Sequence, residues 1–161
     1  DLSSYGGGFG NLIDAAPYSF EHYVTGQGRI RWACCGIIST PDNIVRWAYE
    51  LYSSNGSAIS GSSRTILLNS VSGAPVSFQG SMQNYGYFIA KRTLTMVDAT
   101  EVTAYGHPGG GGGYSSLLRY SPELDLAVSV LANSTLKFQG SCGSYAPRSC
   151  IASAIFGAYA D

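Results

Sequence analysis

The sequence predicts an α+β fold in which helices pack on an antiparallel sheet. Three observations carry that expectation. A helix-period segment with its own start signals begins at Thr40-Pro41. Short β-rich runs separated by turn formers follow from Tyr85. A second helix-period segment occupies Ser149–Tyr159. At 161 residues the chain fits one domain, long enough to bury a real core.

The elements follow in order. Residues 1–31 are rich in glycine and aromatics without a clear period and read as an irregular lead-in. Thr40 can cap a helix, Pro41 suits the first helical position, and Asp42 favours the positive end of the helix dipole. Ile44, Trp47, Ala48, Leu51 and Tyr52 then recur at helical spacing, which places Trp47 in the core, and Asn55-Gly56 reads as the stop. A shorter helix is expected from about Ser62 to Leu68. Strands are expected at Gly86–Ala90, Thr93–Val97, Val102–Tyr105, Ser115–Tyr120 and Leu126–Leu131, with Ser121–Asp125 as a hairpin connection. Their adjacency makes them antiparallel. Ile151, Ala152, Ile155, Phe156 and Tyr159 mark the closing helix.

Composition narrows the function classes. Charged residues are 12% of the chain, about half the usual share, and the net charge is −1. That leaves no electrostatic case for a nucleic-acid or anionic-membrane partner. No apolar run reaches the roughly 20 residues of a membrane span. Four cysteines, Cys34, Cys35, Cys142 and Cys150, are an even count. Bonding the neighbours Cys34 and Cys35 closes a strained ring, whereas Cys142–Cys150 closes a short loop; three pairings remain open. Two acceptor sequons, at Asn55-Gly-Ser57 and Asn133-Ser-Thr135, join the cysteines in pointing to a secreted, glycosylated protein. A zinc site lacks a suitable ligand set, and no cofactor motif is present. Buried free thiols are the alternative for the cysteines.

One stretch stands apart. In Ala104-Tyr-Gly-His-Pro followed by Gly109–Gly113 and Tyr114-Ser-Ser-Leu-Leu118, one of only two histidines precedes five glycines. A glycine run between β-rich runs is a flexible turn in the plain reading. Glycine among strand signals also marks close approach of a ligand to the backbone. The longer run "GHPGGGGGYSSLLRYSPELDLAVSVLAN" (Gly106–Asn133) resembles the C-terminal strand pair of the serine β-lactamase and penicillin-binding-protein family, in its class C, esterase and D-aminopeptidase branches. "ACCGIISTPDNIVRWAYELY" (Ala33–Tyr52) is similar to that family's Ala-Gly-Gly-Leu-x-Ser-Thr helix entry, and "YGYF" (Tyr85–Phe88) to its Tyr-Gly-x-Gly-Trp strand. The resemblance covers about Trp32 to Asn133. It divides the single domain 1–161 into the lead-in, a β-lactamase-like core over 32–133, and a disulfide loop with closing helix over 134–161.

The resemblance implies the C-terminal part of a β-lactamase/transpeptidase fold and acyl transfer on an ester, amide or β-lactam. In that family a serine of Ser-x-x-Lys attacks the carbonyl, a Tyr/Ser-x-Asn element assists, and a Lys-Thr-Gly or His-x-Gly strand lines the site. His107-Pro108-Gly109 would be the third part. His107 would face the substrate's polar groups, Gly109 would leave it room, and Gly110 would give one oxyanion donor. Pro108 and Tyr114 would border the substrate. The first two parts are expected upstream of Ala33, where the sequence holds neither. Ser134-Thr-Leu-Lys137 fits Ser-x-x-Lys formally but follows the last strand, and Ser53-Ser-Asn55 fits Ser-x-Asn at a helix end; both read as coincidence. The resemblance implies that the nucleophile lies on a missing N-terminal portion or on a separately cleaved second chain carrying Ser-x-x-Lys, without which this chain is inactive. The alternative is a non-catalytic secreted module that self-associates through the reused half-fold. A small-ligand domain using the glycine-lined groove is a third reading. His22, the other histidine, reads as a surface or packing residue.

Overall fold

A computed structural model describes residues 39–73, 75–78, 81–95, 99–111, 114–133 and 147–160. The lead-in over 1–31, Cys34, Cys35, Cys142 and the Ser134–Lys137 stretch lie outside the described residues.

Helix α1 spans Pro41–Tyr52 and begins as its sequence predicts. Thr40 has extended backbone, and its hydroxyl accepts the Asn43 N–H at 3.3 Å. One orphan donor of the first turn is thereby satisfied. Helix α2, Gly61–Asn69, starts in the same way from Ser60, whose hydroxyl accepts the Ser63 N–H at 3.2 Å. A single 3₁₀ turn, Ser70–Ser72, follows it.

Six antiparallel strands follow in chain order across one sheet: β1 Val76–Phe78, β2 Ser81–Tyr85, β3 Ala90–Thr95, β4 Glu101–Gly111, β5 Tyr114–Ser121 and β6 Leu126–Ala132. Helix α3, Pro147–Ala160, completes the described residues. Side-chain alternation along β5 divides the core into two layers. Leu117 packs with Val102, Val128, Val130, Ala152 and Phe156 on the α3 side. Leu118 packs with Ala48, Tyr52, Val71, Ile89 and Tyr120 on the α1 side. Helices α1 and α3 thus cover opposite faces of β5 and β6. Phe156 is fully buried in the α3 layer. Phe156→Ala is expected to lower the unfolding free energy by about 3–5 kcal/mol, read from denaturant titration.

Several expectations need correction. Trp47 is 54% exposed instead of buried. The buried stripe of α1 centres on Ala48, and a helical step of about 100° carries Trp47 to its flank. There its ring lies edge-on to Tyr52 at 6.3 Å. The segment Gly86–Ile89, expected as strand, is the turn between β2 and β3, closed by the Gly86 N–H donating to the Ile89 carbonyl at 2.8 Å. Strands β1 and β2, absent from the sequence reading, precede it. Helix α1 ends at Ser53 instead of at Asn55-Gly56. There Ser53 turns extended and its fully buried hydroxyl bonds Asp125. Strand β4 continues through the first three glycines to Gly111 where the sequence suggested only Val102–Tyr105. Pairing with β5 holds them extended despite their weak intrinsic preference for strand.

Candidate active site

The register of β4 gives the glycine run its shape. Strand β3 pairs with β4 from Thr95↔Glu101 to Ala90↔Gly106 and goes no further. Strand β5 stays paired through His107↔Leu118, Pro108↔Leu117, Gly109↔Ser116, Gly110↔Ser115 and Gly111↔Tyr114. From His107 to Gly111, therefore, only one edge of β4 is paired to a strand among the described residues. The other edge is the place where an extended ligand could lie along the backbone. Gly109–Gly111 are thus strand rather than a flexible turn.

Alternation decides what this edge displays. Residues directly opposite one another share a face. His107 and Gly109 share theirs with Leu118 and Ser116, and Tyr114 falls on the same side. Pro108 falls on the other, opposite Leu117, and is buried toward α3. Pro108, expected to border the substrate, therefore stiffens the strand from behind. A Cβ at Gly109 would lie 2.2 Å from the Ser116 hydroxyl, which would have to rotate away. Gly110 is exposed beside Gly109.

His107 sits at the head of this edge, half-buried. Its Nε2 lies 2.8 Å from the Tyr85 hydroxyl, and the two rings meet edge-to-face at 5.6 Å. Its Nδ1 lies 2.5 Å from the Pro108 carbonyl. Burial raises the pKa of Tyr85, so its hydroxyl stays protonated and able to donate at neutral pH. In the sequence Tyr85 stands only as part of a strand motif, with no role of its own. Nothing local signals its approach to a residue 22 positions on.

Behind the strand the electrostatics are positive. Arg148, in the first turn of α3, donates from Nη1 to the Gly109 carbonyl at 2.5 Å. Arg119 on β5 is only 4% exposed, opposite Gly106. Burial, then the neighbouring charges of Arg92 and Arg148, bring its pKa from 12.5 to about 10. These guanidinium groups remain cationic at neutral pH and create a field that favours negative charge developing near Gly109 and Gly110.

The Ser53-Ser-Asn55 element is occupied with fold stability. The Asp125 carboxylate accepts from the hydroxyls of Ser53, Tyr49 and Tyr120 at 2.8 Å each, and from the Asn55 amide at 3.3 Å. This ties the end of α1 to the β5–β6 turn, where Asp125 itself has φ 45°. The donors, Ser53 first and then Tyr49 and Tyr120, hold the Asp125 carboxyl below its ordinary 3.8. A depressed folded pKa stabilises fully above the unfolded value and is lost as pH falls through the folded one. Asp125→Asn is expected to reduce stability at pH 7 and to flatten the fall in melting temperature below about pH 4. A melting series from pH 7 to pH 2.5 checks this.

Of the other residues singled out in the sequence, Asn55 and Asn133 are exposed. Cys150 lies in the first turn of α3, and the remaining cysteines fall outside the described residues.

The Beta-lactamase family model matches residues 5–142, which include α1, α2 and all six strands. The chain belongs to that family. No curated protein and no solved structure matched it. Membership in the Beta-lactamase family places the chain in a superfamily of serine hydrolases. The matched residues include the His107–Gly111 segment of β4.

Proposed function

We propose that residues 1–161 supply the strand half of an acyl-transfer site and that the attacking hydroxyl comes from a complementary segment outside them, either an N-terminal portion of a longer chain or a separate polypeptide. The observation that carries the reading is the β4 edge from His107 to Gly111, paired to a strand on one side only among the described residues, with His107 at its head. A carbonyl substrate lying along this edge would pass Gly109, where no side chain intervenes. The Gly110 N–H would donate to the oxyanion, aided by the cationic field of Arg148 and Arg119. The serine of that complementary segment would attack the carbonyl carbon and pass its proton to the neighbouring lysine. The leaving group would depart as an acyl-serine forms, and water would release the acid. An oxyanion donor of this kind contributes roughly 3 kcal/mol of transition-state stabilisation.

Support for a partner comes from the sequence and the surface. Lys91 and Lys137 are the only lysines, and only Lys137 has a serine three residues before it. Trp47, Ile66, Tyr87 and Phe88 are exposed, Phe88 by 87%, on α1, α2 and the β2–β3 turn. A complementary polypeptide would cover such groups. The cysteine count and the exposed sequon residues Asn55 and Asn133 support an extracellular setting within the same reading. The same exposed groups also favour the second reading, a non-catalytic module that associates with its own copies.

The chain alone is expected to leave chromogenic ester, amide and β-lactam substrates unchanged. Supplied with a polypeptide bearing Ser-x-x-Lys, it should gain turnover, and a fluorophosphonate should label the partner's serine. Labelling of a serine within residues 1–161 during turnover would overturn supply from outside them. A native particle containing only copies of this chain would favour the module. In the assembled enzyme, His107→Ala is expected to lower kcat/KM by about 10²-fold or more.

A further inference from the structure

We propose that Tyr85 is a positioning residue that locks His107 in a single tautomer and ring orientation, with the proton on Nδ1 and the Nε2 lone pair held by the Tyr85 hydroxyl. The proposal rests on the acyl-transfer reading for its use but not for its geometry. The Pro108 carbonyl beside Nδ1 can only accept, so the nitrogen facing it must carry the hydrogen. A neutral imidazole has one N–H, which leaves Nε2 as an acceptor. The Tyr85 hydroxyl at 2.8 Å must then donate to it. Turning the ring over would put carbon atoms at both positions and lose both bonds, so the pair selects the orientation as well as the tautomer.

The fold holds Tyr85 where this requires. It is the last residue of β2, paired with Ala90, which in turn pairs with Gly106 next to His107. The turn that follows is pinned twice: Gly86 N–H to the Ile89 carbonyl, and Tyr87 N–H to the Ser70 hydroxyl at 3.0 Å. Gly86 itself fits so tightly that a Cβ would sit 2.0 Å from the Ser70 oxygen. The phenol is thus delivered from a braced hairpin. A ring fixed in this way reaches a ligand without first losing rotational freedom, which is how preorganised polar groups gain their effect.

The test is long-range ¹H–¹⁵N correlation of the imidazole rings in the ¹⁵N-labelled full chain at neutral pH. His22→Gln assigns the two histidines. His107 is expected to show a protonated Nδ1 and an Nε2 resonance displaced by an accepted hydrogen bond. Tyr85→Phe should move Nε2 toward the position of a nitrogen that accepts no such bond, with His22 unmoved. A proton on Nε2 in the wild type overturns the proposal, and so does an Nε2 resonance that Tyr85→Phe leaves in place. If Tyr85→Phe fails to fold, the wild-type tautomer decides alone. Failure of the acyl-transfer reading is a separate result: no turnover in any assembly, with the tautomer still on Nδ1.

Discussion

Arg64→Met is expected to lower the unfolding free energy by about 3 kcal/mol, because it leaves part-buried carbonyls without a donor and removes a buried side chain's hydrogen bonds. Arg64 is buried between α2 and the end of α1. Its Nε donates to the Leu51 carbonyl at 3.1 Å and its Nη2 to the Gly56 carbonyl at 2.7 Å, with Ile59 and Glu50 at 3.3 and 3.4 Å. The Glu50 carbonyl keeps a second donor, the Ala58 N–H at 3.2 Å, so Leu51, Gly56 and Ile59 bear the loss. Methionine can fill the volume but cannot donate. A cation at a helix C-terminus also favours the dipole, and that contribution goes too. For a chain of this size the change corresponds to a fall in melting temperature on the order of 10 °C. Arg64→Lys should recover only part, since a single ammonium cannot reproduce the planar fork. A melting temperature within 2 °C of the wild type for Arg64→Met, roughly the shift of 1 kcal/mol or less, would show that water replaces these bonds.

Gly106→Ala is expected to lower stability by a similar amount, about 3 kcal/mol, and to disturb the site as well. Gly106 has φ 147°, a backbone conformation that residues with a Cβ rarely adopt. A Cβ there would also lie 2.1 Å from the Leu118 carbonyl oxygen, a backbone atom that cannot rotate away. Relief requires β4 and β5 to separate one residue before His107. In the assembled enzyme, turnover should therefore fall further for Gly106→Ala than for Phe156→Ala, both compared at a temperature where each is folded. Phe156 lies in the α3 layer, so equal losses of turnover would show that general loosening, and not the β4–β5 register, is what matters. Denaturant titration with activity measured on the same samples checks both halves.

These two residues show where sequence reading stops. Neither drew attention in the sequence, although Gly106 opens the motif quoted for the resemblance. The partners of Arg64 are carbonyls, which every residue has, and their positions depend on how α1 ends. That end is set by Ser53 bonding Asp125, 72 residues away. The strain at Gly106 depends on β5 lying alongside. The same non-locality hid the Tyr85–His107 pair and placed Trp47 outside the core.

The sequence by itself determined the elements whose causes are local. Thr40 and Pro41 start α1, helical spacing marks α1 and α3, and Ser121–Asp125 joins β5 to β6. It also determined the chemistry available at the site, since His107 and the glycines after it are simply there to be read. Only the tertiary structure decided what those residues do together. Pairing with β5 drew the glycines into β4, and the early end of β3 left their other edge without a strand partner among the described residues. Pro108 turned inward because alternation put it opposite Leu117. Strand register and side-chain meetings across tens of residues arise from packing the two helical layers onto one sheet, and no short window of sequence encodes that.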